Sequence, residues 1–575
     1  MRTSLILILL APALVLLTSR VHAQEKRKVT FTGLGRSVFY GDDLRQDTPV
    51  PDTVTARKLH SGHVLVDVGV QIRPNANTEV LGMVRVRNDY GGFWGSGVTF
   101  DVRQLYVKGV IGNIIRYQLG DINYRMTRYT LWNPDQEVVS SMPLLFAQQA
   151  DLLNYDHFYN FDQAWRQQGA SAEFGLVFSK WIDELQVHAM TSRIAPADFV
   201  TTHDRLFSGL SISLIQSKYL RAGLNYANLY DVAGTSRNPV SFHNPVLTGT
   251  LHGEVPLKTV RLSIDAESGR SRTYYREDPQ APEITGQFTE ASLTAVHEKT
   301  GIRITALAKM IDAQFRSPGA QTKRIRYDAA PIAYSRITND QVLRPLNMVD
   351  LMRESTLCMM QLSPSLMQFA PRYDNITPYG DATPNRQGTV ITLAYEKKDS
   401  PVRLEASRSD LQEMRGEGTL RARTFTRTDI RSELLVHALF ADWKKHITLS
   451  GSMRSDQTNR PEEGRVQGVD LRTQLYSAGL EAEIFTHLDL LVGFQQITYQ
   501  GTEFTAMRDA YSQIFNFSEY EVDGTETLTG AGIRYRFSDS AFVSTQWNSF
   551  RNNDQLAAVS PYTMNQLVWV FQMKF

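Results

Sequence analysis

Apolar and polar residues alternate one by one along many short stretches of this chain. The clearest stretch covers 260–267, where four aliphatic residues alternate with four polar or charged ones: Val260, Leu262, Ile264 and Ala266 against Arg261, Ser263, Asp265 and Glu267. The same period of two recurs at 64–72, 302–306 and 476–484. Because successive side chains of a strand point to opposite faces, each stretch predicts a β-strand with one apolar and one wet face.

Short polar turns join these stretches into hairpins. Ten such turns lie near 74–78, 112–113, 180–184, 216–218, 256–258, 299–301, 397–401, 441–444, 486–487 and 538–540. With a first strand near 29–39 and a last strand at 566–575, the hairpins indicate about 22 strands, an even number. In a sheet that closes on itself, the apolar face can contact hydrocarbon while the polar face contacts water. We therefore predict an all-β fold, a transmembrane antiparallel up-and-down β-barrel.

The last strand carries its large apolar residues on one side. They are Leu567, Trp569, Phe571, Met573 and Phe575. An edge strand of a soluble sandwich rarely has such a face. The segment resembles the closing strand of Gram-negative outer-membrane β-barrels, whose assembly machinery reads a terminal Phe preceded by apolar residues at every second position. The resemblance implies that Trp569, Phe571, Met573 and Phe575 form a barrel-assembly signal and that the protein lies in the cell outer membrane, in contact with its lipid.

The amino-terminal residues have the pattern of a secretory signal. Arg2 precedes an apolar run over 5–17, and 19–23 contains small or tolerated residues before Gln24. The run is short for a membrane-spanning helix, and no stop-transfer pattern follows it. We expect 1–23 to be a signal peptide and 24–575 to form the barrel.

Composition excludes several other classes of protein. Although 42% of the residues are hydrophobic, no run after Leu17 approaches the roughly twenty apolar residues that a spanning helix needs. Lys and Arg number 61 against 60 Asp and Glu, so the charge balance gives no argument for a nucleic-acid partner. The single cysteine, Cys358, excludes an intrachain disulfide and a cysteine-based metal cluster.

Longer polar stretches alternate with the short turns. They lie at 41–57, 88–96, 125–166, 195–203, 231–244, 270–285, 311–386, 411–427, 456–468, 501–520 and 551–563. In an outer-membrane barrel the short turns are periplasmic and the long loops extracellular.

About 22 strands enclose a lumen that something inside must narrow. Strand-like sequence begins soon after Gln24, so we expect no amino-terminal plug of the kind found in TonB-dependent transporters. The long loops 125–166 and 311–386 are the candidates. The first contains Leu144, Leu145, Phe146, Tyr155, Phe158, Tyr159, Phe161 and Trp165; the second contains Met348, Leu351, Met352, Leu357, Met359, Met360, Leu362, Leu366 and Met367, at a spacing typical of a short helix. Two interpretations remain open for both: inward folding, or self-packing at the surface.

If the aliphatic faces contact lipid, the charged residues between them face the lumen. The candidate pore-lining residues are Arg85, Arg87, Arg103, Arg221, Arg261, Asp265, Glu267, Arg303, Arg403 and Glu405, together with Asp67, Asp101, Arg116, Arg534 and Arg536. Rings of mixed charge favour hydrated polar solutes. Alternatively, the charges pair with one another and stiffen the wall.

Enzyme motifs are missing from the sequence. There is no G-x-S-x-G elbow, and His297-Glu298 lacks the second His of a zinc-protease motif. We expect no enzymatic activity, no cofactor and no metal. The sequence favours a porin-like channel for passive passage of small hydrophilic solutes. The alternative is a non-conducting barrel that serves as an adhesin or as a component of a surface or secretion complex; the oligomeric state stays open.

Overall fold

The structure is a computed structural model. It describes residues 29–46, 57–90, 98–132, 142–158, 167–321, 347–353, 362–440, 443–556 and 561–575. The predicted signal peptide, 1–23, lies outside these ranges, as do Tyr159, Phe161, Trp165, Leu357, Met359 and Met360.

The described chain consists mainly of strands. They are β1 (Val29–Gln46), β2 (Arg57–Asn75), β3 (Thr78–Asp89), β4 (Val98–Ile111), β5 (Ile115–Ile122), β6 (Gln167–Val177), β7 (Glu184–Ala195), β8 (Arg205–Ser217), β9 (Leu220–Asp231), β10 (Ser241–Leu257), β11 (Val260–Arg276), β12 (Ile284–His297), β13 (Ile302–Ile311), β14 (Arg386–Glu396), β15 (Val402–Gln412), β16 (Thr424–Leu435), β17 (Ile447–Arg460), β18 (Val469–Phe485), β19 (Leu488–Arg508), β20 (Ile514–Ser538), β21 (Ala541–Asp554) and β22 (Tyr562–Lys574). Helix α1 covers Leu144–Phe158, helix α2 covers Met348–Arg353, and a 3-10 turn covers Val436–Leu439.

The 22 strands form one closed antiparallel sheet. Each strand pairs with the next along the chain, and β1 pairs with β22 in a register that runs from Leu34↔Lys574 to Gln46↔Tyr562. No strand edge remains open in the described sheet, because the first and last strands satisfy each other. The structure confirms the predicted all-β antiparallel barrel and its strand number.

The short connections lie where the turn pattern placed them. Leu257 pairs with Val260, Phe485 with Leu488 and Ser538 with Ala541, each across a predicted turn. The connection that contains 441–444 is longer, because the 3-10 turn precedes it.

Several predicted loops are wrong at their ends, because the strands continue into them. Most of 270–285 belongs to β11 and β12, and most of 501–520 belongs to β19 and β20, which leaves 509–513 as the connection. On β19 the outward residues change from apolar at Leu490 and Phe494 to polar at Gln496 and Thr498. Polar residues on both faces therefore mark a strand that has left the apolar belt, not a loop.

The two faces of the wall differ as the alternation predicted. On β2, Leu65 and Asp67 are 0% exposed, while Val64, Val66 and Val68 are 37–40% exposed on the outside. Ile264 on β11 and Ile304 on β13 are each 48% exposed on the outer face. The outside of the barrel therefore carries an apolar belt, and charged residues face the lumen.

Within the described residues, neither helix is long and apolar enough to cross a bilayer.

Candidate functional site

Five described segments of the two long loops lie inside the barrel. We call them the loop assembly: 123–132, 142–158, 312–321, 347–353 and 362–385. Helix α1 packs on the inner faces of β18, β19 and β20, and helix α2 contacts both α1 and β20. The two interpretations of the long loops were inward folding and self-packing at the surface. For these segments the structure shows inward folding.

Helix α1 begins against the inner wall through apolar contacts. Leu145 and Phe146 are 1% and 0% exposed and belong to the largest buried cluster, with Leu475, Leu491 and Leu528 of the wall. Gly493 of β19 allows this approach, because a Cβ there would lie 2.8 Å from the Phe146 ring. The Leu144-Leu145-Phe146 motif thus marks the place where the helix meets the wall.

The end of α1 is held by a buried cluster of charges on β2, β3 and β4. Asp67 pairs with Arg85 at 2.7 Å and with Arg103 at 3.4 Å, and accepts a hydrogen bond from the Tyr155 hydroxyl. Arg103 also donates to the Tyr155 carbonyl and lies 4.2 Å from the centre of its ring. A carbonyl near a helix C-terminus attracts a cation, so this cluster fixes the last turns of α1 to the wall.

Helix α2 and the segment that follows it are held around Glu526 of β20, which is 0% exposed. Its carboxylate accepts a hydrogen bond of 2.9 Å from the Tyr373 hydroxyl and one of 3.1 Å from the Met348 backbone N–H. Arg372 lies 4.0 Å from Glu526 and 3.6 Å from Asp554. Since a buried carboxylate needs such partners, Glu526 specifies where this part of the loop assembly sits.

A second buried network binds Asp374 and Asn375 to β16, β17 and β19, on the part of the wall next to β20. Arg427 bridges Asp374 of the loop assembly, at 2.8 Å, and Asp456 of β17, at 2.7 Å. Asn375 donates to Glu503 at 2.7 Å and to Thr458 at 3.0 Å.

The two long loops also contact each other. The Ser317 hydroxyl donates to the Tyr129 carbonyl at 2.7 Å, and the Trp132 N–H donates to the Gly319 carbonyl at 2.9 Å. The Tyr129 ring stacks on Phe288 of β12 with a centroid distance of 3.8 Å. Segments 123–132 and 312–321 therefore form one body attached to the wall.

Water-accessible space remains between the start of α1 and the wall. A cavity of about 570 Å³ lies between the start of α1 and the inner faces of β13 to β18. Its three arginines are paired: Arg303 with Glu405 at 3.7 Å, Arg431 with Glu405 at 3.8 Å, and Arg403 with Glu433 at 3.1 Å. Thr448, Ser450, Ser452 and Ser477 add polar groups, while Met142, Pro143, Leu144 and Ala147 form the opposite side. We call this cavity the paired-charge chamber.

Two further cavities lie towards the ends of the barrel. One, of about 680 Å³, lies beside the short turns and contains the ion pairs Arg73–Glu79 and Arg116–Glu173, at 3.0 and 2.8 Å. The other, of about 240 Å³, lies on the long-loop side, where Arg423 pairs with Glu413 at 2.8 Å. Burial raises the pKa of Glu413, although the neighbouring guanidinium opposes this shift.

Two groups of the candidate pore-lining residues lie beside the loop assembly. Arg303, Arg403 and Glu405 meet in the paired-charge chamber. Arg85 and Arg103 are buried at the end of α1, and Glu267 accepts a hydrogen bond of 2.6 Å from Thr127 of the loop assembly.

The remaining candidates are scattered along the same inner face. Arg87 pairs with Asp89 at 3.0 Å, Asp265 with His252 at 2.6 Å, and Arg261 lies 3.9 Å from Glu298. Arg534 and Arg536 share Asp489, at 2.9 and 3.0 Å. Asp101, Arg116 and Arg221 share the face that alternates with the exposed apolar residues Val102, Ile115 and Leu220.

Sequence reasoning missed some of the chamber and the residues that hold the loop assembly. Arg431 and Glu433 alternate with Ile430 and Ser432 on β16, so a period of two was available there. Glu526 and Arg427 had no local signal, because their partners are distant in the chain.

The residues of the predicted assembly signal lie on the outer face of β22 and just after it. Trp569, Met573 and Phe575 are 36%, 41% and 51% exposed, and Phe571 lies half-buried on the same face. Within the described ranges, His, Cys, Asp and Glu side chains nowhere converge in a group of three that could hold a metal ion.

A closed barrel with an even strand number, an apolar outer belt and a charged lumen is the architecture of outer-membrane proteins. The structure thus agrees with the predicted location in the outer membrane.

No family model and no curated protein matches this chain. Among solved structures, it is similar to OccK8 (OprE) of Pseudomonas aeruginosa, at 8% identity over 95% of this chain and 98% of that one, with a TM-score of 0.33. It is also similar to a BenF-like porin from Pseudomonas fluorescens Pf-5 (9% identity, 95% and 99% covered, TM-score 0.34) and to OccK5 (OpdH) of P. aeruginosa (10%, 96% and 100%, 0.36). The architecture described above rests on this chain's own strand pairing.

Proposed function

We propose that this protein is a porin-like, non-enzymatic channel through which small hydrophilic solutes cross the outer membrane passively. The observation that carries the proposal is the paired-charge chamber. It leaves about 570 Å³ of space in the lumen beside the loop assembly, lined by Arg303, Arg403 and Glu405. A surface lined by charged and hydroxyl groups favours water and hydrated solutes over apolar molecules.

The loop assembly supplies the narrowing that a barrel of this width needs. A wall of 22 strands encloses more space than its own inward side chains fill. The described loop segments occupy part of that space and are fixed by buried ion pairs such as Arg427–Asp374. In the proposed channel they set the size limit for solutes.

We assign different roles to the two groups of inward charges. Arg87, Arg221, Arg261, Asp265, Arg303, Arg403 and Glu405 line the proposed path. Arg85, Arg103 and Glu267 hold the loop assembly in place through Asp67, Tyr155 and Thr127. Because Arg303, Arg403 and Glu405 are paired, the proposed path discriminates weakly between small anions and cations.

The proposed route to the membrane uses the assembly machinery for outer-membrane barrels. Trp569, Met573 and Phe575 present one apolar face on the outside of the closing strand. We propose that this face, together with Phe571, is what that machinery recognises.

A second candidate function is a non-conducting barrel that binds a partner at the cell surface. Leu420 and Phe515, at the long-loop end, are 93% and 63% exposed, which suits a contact surface. The network around Glu526 and Arg427 would also suit a permanently closed barrel.

Planar-bilayer recording of the purified full chain separates the two. The proposed channel gives discrete conductance steps that scale with bulk salt concentration. A correctly folded barrel that inserts into the bilayer and gives no steps would favour the surface-binding function.

A further inference from the structure

The outside of the barrel carries an arginine-rich face where β11 rises above the apolar belt. Arg270, Arg272, Tyr274 and Arg276 alternate with Ser271, Thr273 and Tyr275, and all three arginines are exposed. Ser271 and Thr273 are 1% and 4% exposed on the inner side. We call the four outward residues the outer arginine row.

The register places this row at the edge of the belt. Below it, Leu224, Leu251 and Ile264 of β9, β10 and β11 are 48–49% exposed on the outer face. A transmembrane strand crosses the hydrocarbon in about 9–11 residues, and counting from Val260 that distance ends near Arg270. The row therefore starts where lipid headgroups on the long-loop side begin.

Aromatic rings extend the row across the neighbouring strands. Tyr274 lies opposite His243, which lies opposite Tyr230, so the three rings form one line over β11, β10 and β9. Tyr274 and His243 stack at 5.1 Å, His243 and Tyr230 at 6.1 Å, with interplanar angles of 9° and 7°. Arg272 lies 4.9 Å from the centre of the Tyr274 ring. The three rings cover one another's faces and His243 is only 8% exposed, so Tyr274 and Tyr230 are the partly exposed members of the line.

The charge of the row is only partly neutralised within the protein. Arg272 pairs with Glu283, with two bonds of 2.7 Å. Arg270 and Arg276 form no ion pair with any residue in the described ranges. Guanidinium groups bind phosphate oxygens with paired hydrogen bonds, and tyrosine hydroxyls can donate to and accept from sugar hydroxyls.

We infer that the outer arginine row binds the phosphorylated sugar headgroup of a glycolipid in the outer leaflet. Arg270 and Arg276 bind the phosphates, the hydroxyls of the partly exposed Tyr274 and Tyr230 contact the sugar, and the apolar belt contacts the acyl chains. The inference rests on the outer-membrane location in the proposed function and is independent of conduction.

The test is native mass spectrometry of the full chain in detergent. The probes are a bisphosphorylated, acylated glucosamine disaccharide lipid and the same lipid after removal of its phosphates. We expect the parent to bind the phosphorylated lipid preferentially, and Arg270→Gln/Arg276→Gln to bind it about thirtyfold more weakly. Arg472→Gln is the matched control, because Arg472 is also exposed on the outer face but is paired with Asp470 at 3.2 Å.

Equal binding of both lipids by the parent overturns the inference and needs no variant. Unchanged binding by the double variant, or displacement of the lipid by an equal concentration of inorganic phosphate, also overturns it. The double variant should keep the parent's conductance, since its changes lie outside the lumen. A parent that binds the lipid as expected but does not conduct would contradict the channel and leave this inference standing.

Discussion

Phe575 and Gly33 close the barrel through an exchange of two backbone hydrogen bonds, 2.8 and 3.0 Å long. The Phe575 ring lies so near Gly33 that a Cβ there would be 2.5 Å from the ring and 2.2 Å from the Asp67 carbonyl oxygen. The seam between the first and last strands is therefore packed tightly at this point.

Gly33→Val should destabilise the barrel at the seam. The added side chain has no space, and overpacking of this kind typically costs about 1–3 kcal/mol. A reversible urea titration in lipid vesicles measures the loss. Gly35→Val is the control on the same face, because nothing lies within 4 Å of its Cβ position. Equal losses for the two variants would contradict the seam packing.

Ile264→Arg should cost about 2–4 kcal/mol of folding free energy near the bilayer midplane, because the charge would enter hydrocarbon. Ser263→Arg, one residue earlier, should cost little because its side chain faces the lumen. The same titration compares them. A larger cost for Ser263→Arg would mean that the faces are reversed.

Arg427→Met should loosen the loop assembly. The change leaves Asp374 and Asp456 buried without their shared guanidinium, and breaking a buried pair typically costs about 3–5 kcal/mol. We expect noisier and larger conductance steps in addition to lower stability. Arg408→Met is the control, since Arg408 and Asp410 are paired on the exposed outer surface. Steps identical to the parent's in a folded Arg427 variant would show that this contact does not restrain the path.

Arg303→Gln should shift the channel towards cations. The change removes one positive charge from the paired-charge chamber and leaves Glu405 to share the single guanidinium of Arg431. The reversal potential in a tenfold salt gradient measures the shift, which should shrink at high salt because of screening. Ile304→Gln, which changes the lipid-facing neighbour, should leave the reversal potential unchanged. Equal reversal potentials for the parent and Arg303→Gln would show that Arg303 does not line the path.

Most of the fold could be predicted from the alternation of apolar and polar residues. A period of two is local, so Val64 to Val68 and Val260 to Glu267 could be assigned to strands and faces without knowledge of their neighbours. The ends of the strands were harder to predict, because β11 and β20 continue beyond the apolar belt and become polar on both faces.

The attachment of the loops could not be read from the sequence at all. Tyr373 and Glu526 form a hydrogen bond across 153 positions of the chain, and neither residue has a local pattern that indicates the other. The Met348 to Met352 spacing predicted the short helix α2, but only the tertiary contacts determine that it lies inside the barrel.

The most direct test of the proposed path is chemical modification inside the paired-charge chamber during recording. In a Cys358→Ser background, Ser450→Cys places one thiol on the chamber wall. Addition of a charged thiol reagent should reduce each single-channel step. Leu449→Cys, whose native side chain is 41% exposed on the outer face, should not respond. Conductance through Ser450→Cys channels that stays unchanged after complete labelling would contradict a path through this chamber.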